Sequence, residues 1–453
     1  MEDDQRRGQP RSVPGTRIGR LGRIGGAASD IAGRVAFAGA RELAQGRRPA
    51  MRDLLLAPAN VARFADELAR MRGAAMKMGQ LLSMDAGDLL PPELAEILAR
   101  LRADADHMPP RQLRRVLEAE WGRDWLKRFK RFDVTPIAAA SIGQVHRAET
   151  RDGRELAIKV QYPGVRRSID SDVANVGTLL RYSGLLPPSA DIAPMLEEAK
   201  RQLHEEADYR REAAQLARFH ALLADRSEIA VPQPAEDLTT ENVLAMSFVP
   251  GQPIETLVTA SQAERDRIIS LLLELMLREV FAFGLVQTDP NFANYRYDPE
   301  TGRLILLDFG AVRAYPPAVA DTYRPALEAV LRGGREELRA AAILAGFFTA
   351  ETAPRHQDAV LDMMEAAALP FRRPGPFDFG ADRTASDLRE AGLDLAFDRE
   401  FEDIVPMNTL YLQRKVAGMY LLARRLGARV DVRALALPWL AQGPDAERRA
   451  SAG

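Results

Sequence analysis

The 453-residue chain contains no cysteine, which excludes disulfide bonds, thiolate metal sites and a cysteine nucleophile. It has only five histidines, and its 62 basic residues nearly balance its 64 acidic residues. A net charge of −2 argues against a dedicated nucleic-acid binder, which would carry a strongly basic surface. Long apolar runs are also lacking, because the most apolar stretch, residues 268–286, is interrupted by charges and is predicted to be a buried helix. These charged residues are Glu274, Arg278 and Glu279.

Residues 1–50 are predicted to be a basic leader. Between its first and last arginine, ten arginines face only two acidic residues, Asp30 and Glu42. The arginines are Arg6, Arg7, Arg11, Arg17, Arg20, Arg23, Arg34, Arg41, Arg47 and Arg48. Two interpretations stay open: a basic arm that touches anionic lipid, or a solvated and partly disordered leader. The amino end has no secretory hydrophobic region, so we do not expect export.

Residues 51–127 are predicted to form an all-helical extension. Between residues 64 and 82, apolar side chains recur at alternating steps of four and three, which is typical of a packing seam. Lys77 and Gln80 share a different face of that helix, where a neighbouring domain can approach. Further helices are predicted for residues 93–103 and 111–120.

Residues 128–250 change to short strands with a helical insertion. A hairpin is predicted to turn at Asp152-Gly153. On its second strand, apolar residues alternate with polar ones, so Lys159 is predicted to point away from the apolar face. Helices are predicted for residues 168–181 and 192–223, and strands for residues 228–231 and 243–248.

The next part of the chain, to residue 440, is predicted to be mostly helical. Ser261 and Glu264 form a capping box at the start of its first helix. The one predicted interruption is a β-hairpin that turns at residues 298–302 and carries Asp308 on its second arm. The predicted divisions of the chain are residues 1–50, 51–127, 128–250, 251–440 and a tail at 441–453.

Two motifs in this helical part are typical of kinase-type phosphoryl transfer. Asp289 and Asn294 have the spacing of a protein-kinase catalytic loop, and Asp308 opens an Asp-Phe-Gly tripeptide. Such a transfer needs oxygen ligands for Mg²⁺ and a group that orients the acceptor. We therefore predict that Asn294 and Asp308 bind magnesium and that Asp289 orients water or a hydroxyl acceptor. A second tripeptide, Asp378-Phe379-Gly380, has no matching catalytic loop shortly before it.

Lys159 is predicted to hold the α- and β-phosphates of ATP or ADP, with Glu212 as the carboxylate that positions it. Without the other motifs, Lys159 would be interpreted as an exposed strand lysine and Glu212 as a solvated helix residue. An alanine-rich segment takes the place of the usual glycine-rich loop, and its methyl groups restrict the backbone. We therefore expect an altered nucleotide preference or a weaker protein-kinase activity. The alternative is a small-residue strand start. The candidate nucleotide-binding residues are Ala138, Ala139, Ala140, Ser141, Lys159, Ser247 and Val249.

Together these motifs resemble the UbiB family of atypical kinases. The resemblance rests on Lys77-Met78-Gly79-Gln80, Ala138 to Gln144, Glu206-Ala207-Asp208, Asp289 to Asn294 and Asp308-Phe309-Gly310. Residues 287–291 and 307–311 resemble the branch that contains the mitochondrial coenzyme Q biosynthesis kinase-like ATPases. Many family members carry His-x-Asp-Pro-His-Pro-Gly-Asn, whereas this chain has Gln287 and Asn291 in place of the histidines. The likeness covers nearly the whole chain.

The resemblance implies an α+β, bilobal protein-kinase-like fold, with the helical extension packed over the active site. Lys77 and Gln80 would belong to that extension, as regulatory residues with Glu206 and Asp208 as their polar counterparts in the small lobe. Residues two apart on a regular helix point in nearly opposite directions. Either one of Glu206 and Asp208 faces the site, or the helix starts or kinks there.

By the same resemblance, the leading hypothesis is a Mg²⁺-dependent ATPase or small-molecule kinase that supports ubiquinone biosynthesis. It would act at the cytoplasmic membrane face as a peripheral protein, with a lipophilic quinone precursor or anionic lipid as partner. Other quinone biosynthesis enzymes and a second copy of the chain are further candidate partners. Two alternatives stay open: a Ser/Thr protein kinase, and a nucleotide-binding scaffold of a quinone biosynthetic complex without turnover.

Overall fold

The structure is a computed structural model that describes residues 107–182, 192–384 and 405–441, together with positions 74, 77, 387, 388, 391, 392 and 395. The chain divides into two compact units. Unit 1 comprises Met1–Met84, Asp88–Ala217 and Gln233–Phe248, and unit 2 comprises Asp85–Gly87, Arg218–Pro232 and Val249–Gly453. The leader, the predicted helix at 93–103, Gln80 and residues 442–453 of the tail lie outside the described residues. Of the predicted helix at 64–82, only Ala74 and Lys77 are described, and both are helical. The five-part division of the chain stays a prediction.

The secondary structure alternates between short strands and longer helices. Strands with described ends are β1 (Phe129–Phe132), β2 (Ala138–Ala139), β3 (Gly143–Thr150), β4 (Glu155–Gln161), β5 (Ile229–Ala230), β6 (Val243–Ser247), β7 (Gln252–Pro253), β8 (Leu285–Gln287), β9 (Tyr295–Asp298), β10 (Arg303–Leu306), β11 (Val312–Ala314), β12 (Phe377–Asp378) and β13 (Arg429–Val430). Helices with described ends are α1 (Pro110–Trp121), α2 (Val165–Tyr182), α3 (Ala193–Glu206), α4 (Tyr209–Leu222), α5 (Gln262–Arg278), α6 (Pro317–Arg332), α7 (Arg335–Leu344), α8 (Pro354–Ala367), α9 (Leu369–Arg372), α10 (Met407–Leu426), α11 (Val432–Ala436) and α12 (Pro438–Ala441).

Unit 1 is built on an antiparallel sheet in the order β1–β3–β4–β6, with β2 paired to β3. The alternation predicted for β4 is confirmed, because Leu156, Ile158 and Val160 lie in one apolar core with α1. Lys159 lies on the opposite face of the strand. That face is also buried, because α4 contributes Glu212 beside Lys159.

The single helix predicted for residues 192–223 is wrong in one respect. The segment forms two helices, since α3 ends at Glu206 and α4 begins at Tyr209. The side chain of Asp208 accepts a hydrogen bond from Arg211 N at 3.0 Å and so caps the start of α4. The helix therefore breaks between Glu206 and Asp208, which is the second of the two alternatives that the sequence left open.

Unit 2 begins its long helix α5 at the predicted cap, where Ser261 Oγ accepts from Glu264 N at 3.2 Å. After α5 the chain makes one turn of π-helix, Glu279–Phe283, before strand β8. The predicted hairpin is confirmed as the antiparallel pair β9–β10, to which β5 adds in parallel and β7 antiparallel.

The expectation that this hairpin is the one interruption of the helices is wrong. Two further antiparallel pairs, β8–β11 and β12–β13, lie in unit 2. These strands have only two or three residues each, so alternation cannot reveal them. None of the helices within the described ranges is both long and apolar enough to cross a membrane.

Candidate active site

The loop between β8 and β9 brings the two ends of the predicted catalytic motif together. Asn294 Nδ2 donates to Asp289 O at 3.1 Å and to Asp289 Oδ2 at 3.3 Å. A short 3₁₀ turn, Phe292–Asn294, folds the chain back so that Asn294 reaches Asp289. The Asn291 side chain caps this turn by accepting from Ala293 N. The local backbone therefore sets the side chains of Asp289 and Asn294 against each other.

The Asp-Phe-Gly tripeptide follows β10 and is tied to that loop. Asp308 Oδ1 accepts from Gly310 N at 3.0 Å, and Phe309 is buried with its ring 4.7 Å from Phe219. Gln287 Nε2 donates to the backbone oxygens of Asp289 at 2.8 Å and of Asp308 at 3.4 Å. One side chain thus links both predicted motifs.

The donor set of these residues fits magnesium. Mg²⁺ prefers oxygen ligands, and one or two protein carboxylates with substrate phosphates commonly hold it. Because Asn294 Nδ2 donates to Asp289, its Oδ1 is the atom that can act as a ligand. In the part of the chain that the structure describes, no three or more acidic, histidine or cysteine side chains could hold a metal by themselves.

Arg414 of α10 was not singled out from the sequence, although it contacts the predicted catalytic carboxylate. Its Nη2 donates to Asp289 Oδ1 at 2.8 Å, and both side chains are largely buried. Since Asn294 donates to Oδ2, each oxygen of this carboxylate accepts a hydrogen bond. Charge-assisted bonds of this kind hold a carboxylate in a single orientation.

Lys415 was likewise missed, and it is buried beneath the loop. Its Nζ lies 3.1 Å from Glu279 Oε2, and 3.4 Å from both Gln287 Oε1 and Tyr295 OH. Burial raises the pKa of Glu279 to about 6, against the opposing charge of Lys415. The available sequence signal was a lysine on the apolar face of a helix, in helical register with buried Tyr411.

Helix α10 also approaches the loop at Pro290. A Cβ atom on Gly418 would lie 2.2 Å from Pro290 Cβ, so only glycine fits there. The helix therefore meets the loop at two points, Arg414 and Gly418, while Lys415 contacts the strand residues on either side of it, Gln287 and Tyr295.

In unit 1, Lys159 and Glu212 form the ion pair that the sequence suggested. Lys159 Nζ lies 2.9 Å from Glu212 Oε1 and 3.0 Å from Oε2, and both residues are buried. The ammonium also lies 5.1 Å from the centre of the Tyr209 ring. Two carboxylate oxygens and one aromatic face thus fix the position of the amine.

The alanine-rich segment is partly strand and partly turn. Ala138 and Ala139 form β2, and Ala140 N donates to Gly143 O at 2.9 Å to close the turn. A Cβ atom on Gly143 would lie 2.4 Å from Val160 O, so the turn lies directly against β4. Both the predicted loop and the alternative of a strand start describe part of what is observed.

The turn is linked to the one described residue of the Lys77-x-x-Gln80 motif. Ser141 Oγ donates to Glu206 Oε2 at 2.9 Å, and Lys77 Nζ donates to the other oxygen of the same carboxylate. Asp208 does not join them, because its side chain caps α4. Ser247 ends β6, where its hydroxyl accepts from Gln233 N, and Val249 is half-buried at the start of a unit 2 segment.

Below the turn, β3 carries a buried polar pair. Gln144 Oε1 accepts from Met108 N at 2.7 Å, and its amide nitrogen lies 2.8 Å from His146 Nε2. The His146 ring in turn bonds Asp133 O through Nδ1. Burial lowers the pKa of His146 to about 4, so the imidazole is neutral at physiological pH.

Comparisons with known proteins identify the family of the chain. Residues 100–342 match the ABC1 atypical kinase-like domain. The chain is 38% identical over 421 residues to "Atypical kinase COQ8, mitochondrial" of Saccharomyces cerevisiae, covering 92% of this chain and 84% of the relative. It is 39% identical over 440 residues to "Atypical kinase COQ8B, mitochondrial" of Rattus norvegicus, covering 95% and 81%.

A solved structure is also similar. It is titled "The complex structure of Rv3197-erythromycin from Mycobacterium tuberculosis" and matches with a TM-score of 0.59 and 26% identity, over 83% of this chain and 95% of that one. The predicted α+β, kinase-like fold is thereby confirmed. An atypical kinase-like domain places the chain among ATP-dependent phosphotransferases and ATPases, and its fold implies nucleotide binding. As its motifs predict, the chain belongs to the UbiB family of ABC1 atypical kinases, in the branch of the mitochondrial coenzyme Q biosynthesis kinase-like ATPases.

Proposed function

We propose that this chain is a Mg²⁺-dependent ATPase or small-molecule kinase that supports ubiquinone biosynthesis. The observation that carries the proposal is the double hydrogen bond of Gln287 to the backbone of Asp289 and of Asp308. With the bond from Asn294 to Asp289, it links the three residues of unit 2 to which we assign roles in phosphoryl transfer.

In unit 2, Asp308 and Asn294 Oδ1 are the proposed magnesium ligands. A bound Mg²⁺ would neutralise phosphate charge and draw electrons from the bond that breaks. Asp289 accepts a hydrogen bond from the attacking water or hydroxyl group. Because Arg414 and Asn294 hold its carboxylate, Asp289 orients that group with little rearrangement of its own.

In unit 1, Lys159 is proposed to bind the α- and β-phosphates, and Glu212 keeps its ammonium in place. The alanine-rich turn and residues Ser247 and Val249 are proposed nucleotide contacts. In the turn, the methyl groups of the alanines limit how closely the backbone groups can approach the nucleotide.

The residues of the family motifs outside this set are proposed to regulate the turn. Lys77 and Ser141 share the carboxylate of Glu206, so a shift of the segment that carries Lys77 is transmitted to the turn. Asp208 acts through the start of α4, the helix that carries Glu212, and Gln80 belongs to the same regulatory set.

The proposed acceptor is a lipophilic quinone precursor, or water when no acceptor is bound. We place the protein at the inner face of a membrane, where anionic lipid and other quinone biosynthesis enzymes would be its partners. The relatives whose names are given above are mitochondrial proteins of the same branch, which supports the assignment to this pathway.

The test is ATP hydrolysis by the purified chain, with and without Mg²⁺ and with vesicles of anionic lipid that contain a quinone head-group analogue. We expect Mg²⁺-dependent turnover, and we expect Asp308→Asn to remove it without unfolding the chain. Absence of nucleotide binding and of hydrolysis under all these conditions would reject the proposal.

A scaffold without turnover is the second candidate. The specific observation in its favour is that Arg414 and Asn294 each donate to one oxygen of Asp289, which leaves fewer of its lone pairs to accept from an attacking group. Full rescue of a quinone-deficient strain by both Asp289→Asn and Asp308→Asn would support the scaffold. Loss of rescue with unchanged protein level would support catalysis.

A further inference from the structure

The ion pair of Glu279 and Lys415 is the most deeply buried charge cluster in the described part of unit 2 that the proposed function does not use. Each side chain is only 2% exposed, and they belong to segments far apart in the sequence. Glu279 opens the π-helical turn after α5, while Lys415 lies in α10. Burying two charges is costly, and such a pair is weak evidence for stability by itself.

Beyond Glu279, Lys415 contacts two atoms at 3.4 Å, Tyr295 OH and Gln287 Oε1, and the second of these links it to the predicted motifs. Lysine can only donate, so the end of the Gln287 side chain that faces Lys415 must be the carbonyl oxygen, at 3.4 Å. The backbone oxygens of Asp289 and Asp308 can only accept, so the other end must be the amide nitrogen. The orientation of this amide is therefore fixed by its partners on both sides.

We propose that Lys415, held by Glu279, is a positioning residue for the active site: it fixes Gln287 so that its amide joins the Asp289 loop to the Asp308 tripeptide. This inference rests on the proposed function, because it assigns Lys415 a role only if Asp289 and Asp308 carry the chemistry. Lys415 itself acts through Gln287.

A purely structural role gives a different expectation for removing both charges. Replacing a complete buried ion pair by neutral side chains of similar size is often neutral for stability, whereas removing one partner leaves an uncompensated charge. The double variant Glu279→Gln with Lys415→Met therefore separates the two roles. If the pair only stabilises, that variant recovers stability and activity together.

The experiment measures thermal unfolding, ATP turnover and the Mg²⁺-dependence of ADP affinity for four proteins. These are the wild type, Lys415→Met, the double variant, and a control in which the ion pair Arg226–Glu274 becomes Arg226→Met with Glu274→Gln. The control pair also lies in unit 2, with 2.6 Å between Arg226 Nη1 and Glu274 Oε1. Neither of its residues belongs to the loop or the tripeptide.

We expect Lys415→Met to unfold at a lower temperature and the double variant to recover most of that loss. The kcat of the double variant should still fall roughly tenfold to a hundredfold, because misplaced catalytic groups lower turnover by that much. Mg²⁺ should also strengthen ADP binding to the double variant less than to the wild type. The control should keep wild-type turnover. A double variant with wild-type kcat and Mg²⁺-dependence would overturn the inference while leaving the proposed function intact. Wild-type turnover in Asp308→Asn would instead overturn the proposed function and this inference with it.

Two variants at Gln287 test the polarity of the link directly. Gln287→Glu places acceptor atoms at both ends and repels the two backbone oxygens, whereas Gln287→His offers one acceptor nitrogen and one donor nitrogen. We therefore expect turnover to be higher in Gln287→His than in Gln287→Glu. The reverse order would overturn the inference.

Discussion

The chain contains the tripeptide Asp-Phe-Gly twice, and the two copies fold alike. In each, the aspartate Oδ1 accepts from the glycine nitrogen at 3.0 Å. In each, the phenylalanine is 2% exposed and lies against another aromatic ring, Phe219 for Phe309 and Tyr420 for Phe379. The tripeptide therefore specifies a turn with a buried ring and an oriented carboxylate.

The surroundings of the two turns differ. Gln287 links the backbone oxygen of Asp308 to the loop of Asp289. The carboxylate of Asp289 accepts hydrogen bonds from the Asn294 amide and the Arg414 guanidinium. Asp378 pairs instead with Arg429, across the short β12–β13 ladder. The turn itself therefore does not distinguish the proposed site from the second copy. The difference lies in neighbouring side chains that are distant in sequence.

The comparison is tested most strongly by the same substitution in both turns. Asp308→Asn should lower Mg²⁺-dependent ATP turnover by about a hundredfold or more, since the substitution removes a carboxylate that we propose as a magnesium ligand. Asp378→Asn should leave turnover unchanged, because Arg429 is its partner. Steady-state hydrolysis of both variants, with circular dichroism to check folding, decides this. Equal losses would mean that the second turn also serves catalysis.

The second test compares the two arginines that pair with aspartates. Arg414 and Asp289 have side chains 7% and 16% exposed, whereas Arg429 and Asp378 are 56% and 38% exposed. Arg414→Gln should lower the free energy of unfolding by about 2 kcal/mol, because a largely buried carboxylate loses its cation.

Arg429→Gln, the matched control, should cost less than about 1 kcal/mol, as exposed ion pairs usually do. Urea unfolding of both variants measures the difference. Costs of the same size would show that burial does not distinguish the two pairs.

Local sequence patterns predicted the parts of the site that lie close together in the chain. The spacing of Asp289 and Asn294 and the alternation along β4 depend on backbone periodicity alone, and both are visible in the sequence. The break between α3 and α4 stayed one of two alternatives, because the helical pattern continues through it. Asp208 was the available sign, since aspartate is a preferred helix cap.

Other parts of the site could not be read from local patterns. Arg414 lies 125 residues from Asp289 and Lys415 lies 128 residues from Gln287, and no periodicity reports contacts at that separation. The buried charge of Glu279 was counted only as an interruption of an apolar stretch. The available signal for Glu279 was its position in an otherwise apolar stretch, because a charged residue that is buried there needs a partner of opposite charge.

What the two turns share can be tested at their phenylalanines. Phe309→Leu and Phe379→Leu should each lower the free energy of unfolding by about 1 kcal/mol, since both rings fill a closed apolar site. Phe309→Leu alone should also alter ATP turnover. Denaturant unfolding gives the first value and hydrolysis the second. If only one substitution destabilises the chain, the two turns are not equivalent in packing.

The smallest expected effect concerns acid stability at the second turn. Burial raises the pKa of Asp378, but the bonds from Ala381 N, Arg429 and Gly380 N together outweigh it and hold the pKa below its ordinary value. A carboxyl group with a lowered pKa in the folded state contributes stability above its unfolded pKa, and that contribution is lost as pH falls through the folded value. Below roughly pH 4, the usual aspartate range, the wild type should therefore lose stability more steeply than Asp378→Asn. Urea unfolding over a pH series measures both slopes. Parallel curves would show that the bonds to the Asp378 carboxylate add no stability. The second turn would then share only its backbone shape with the first.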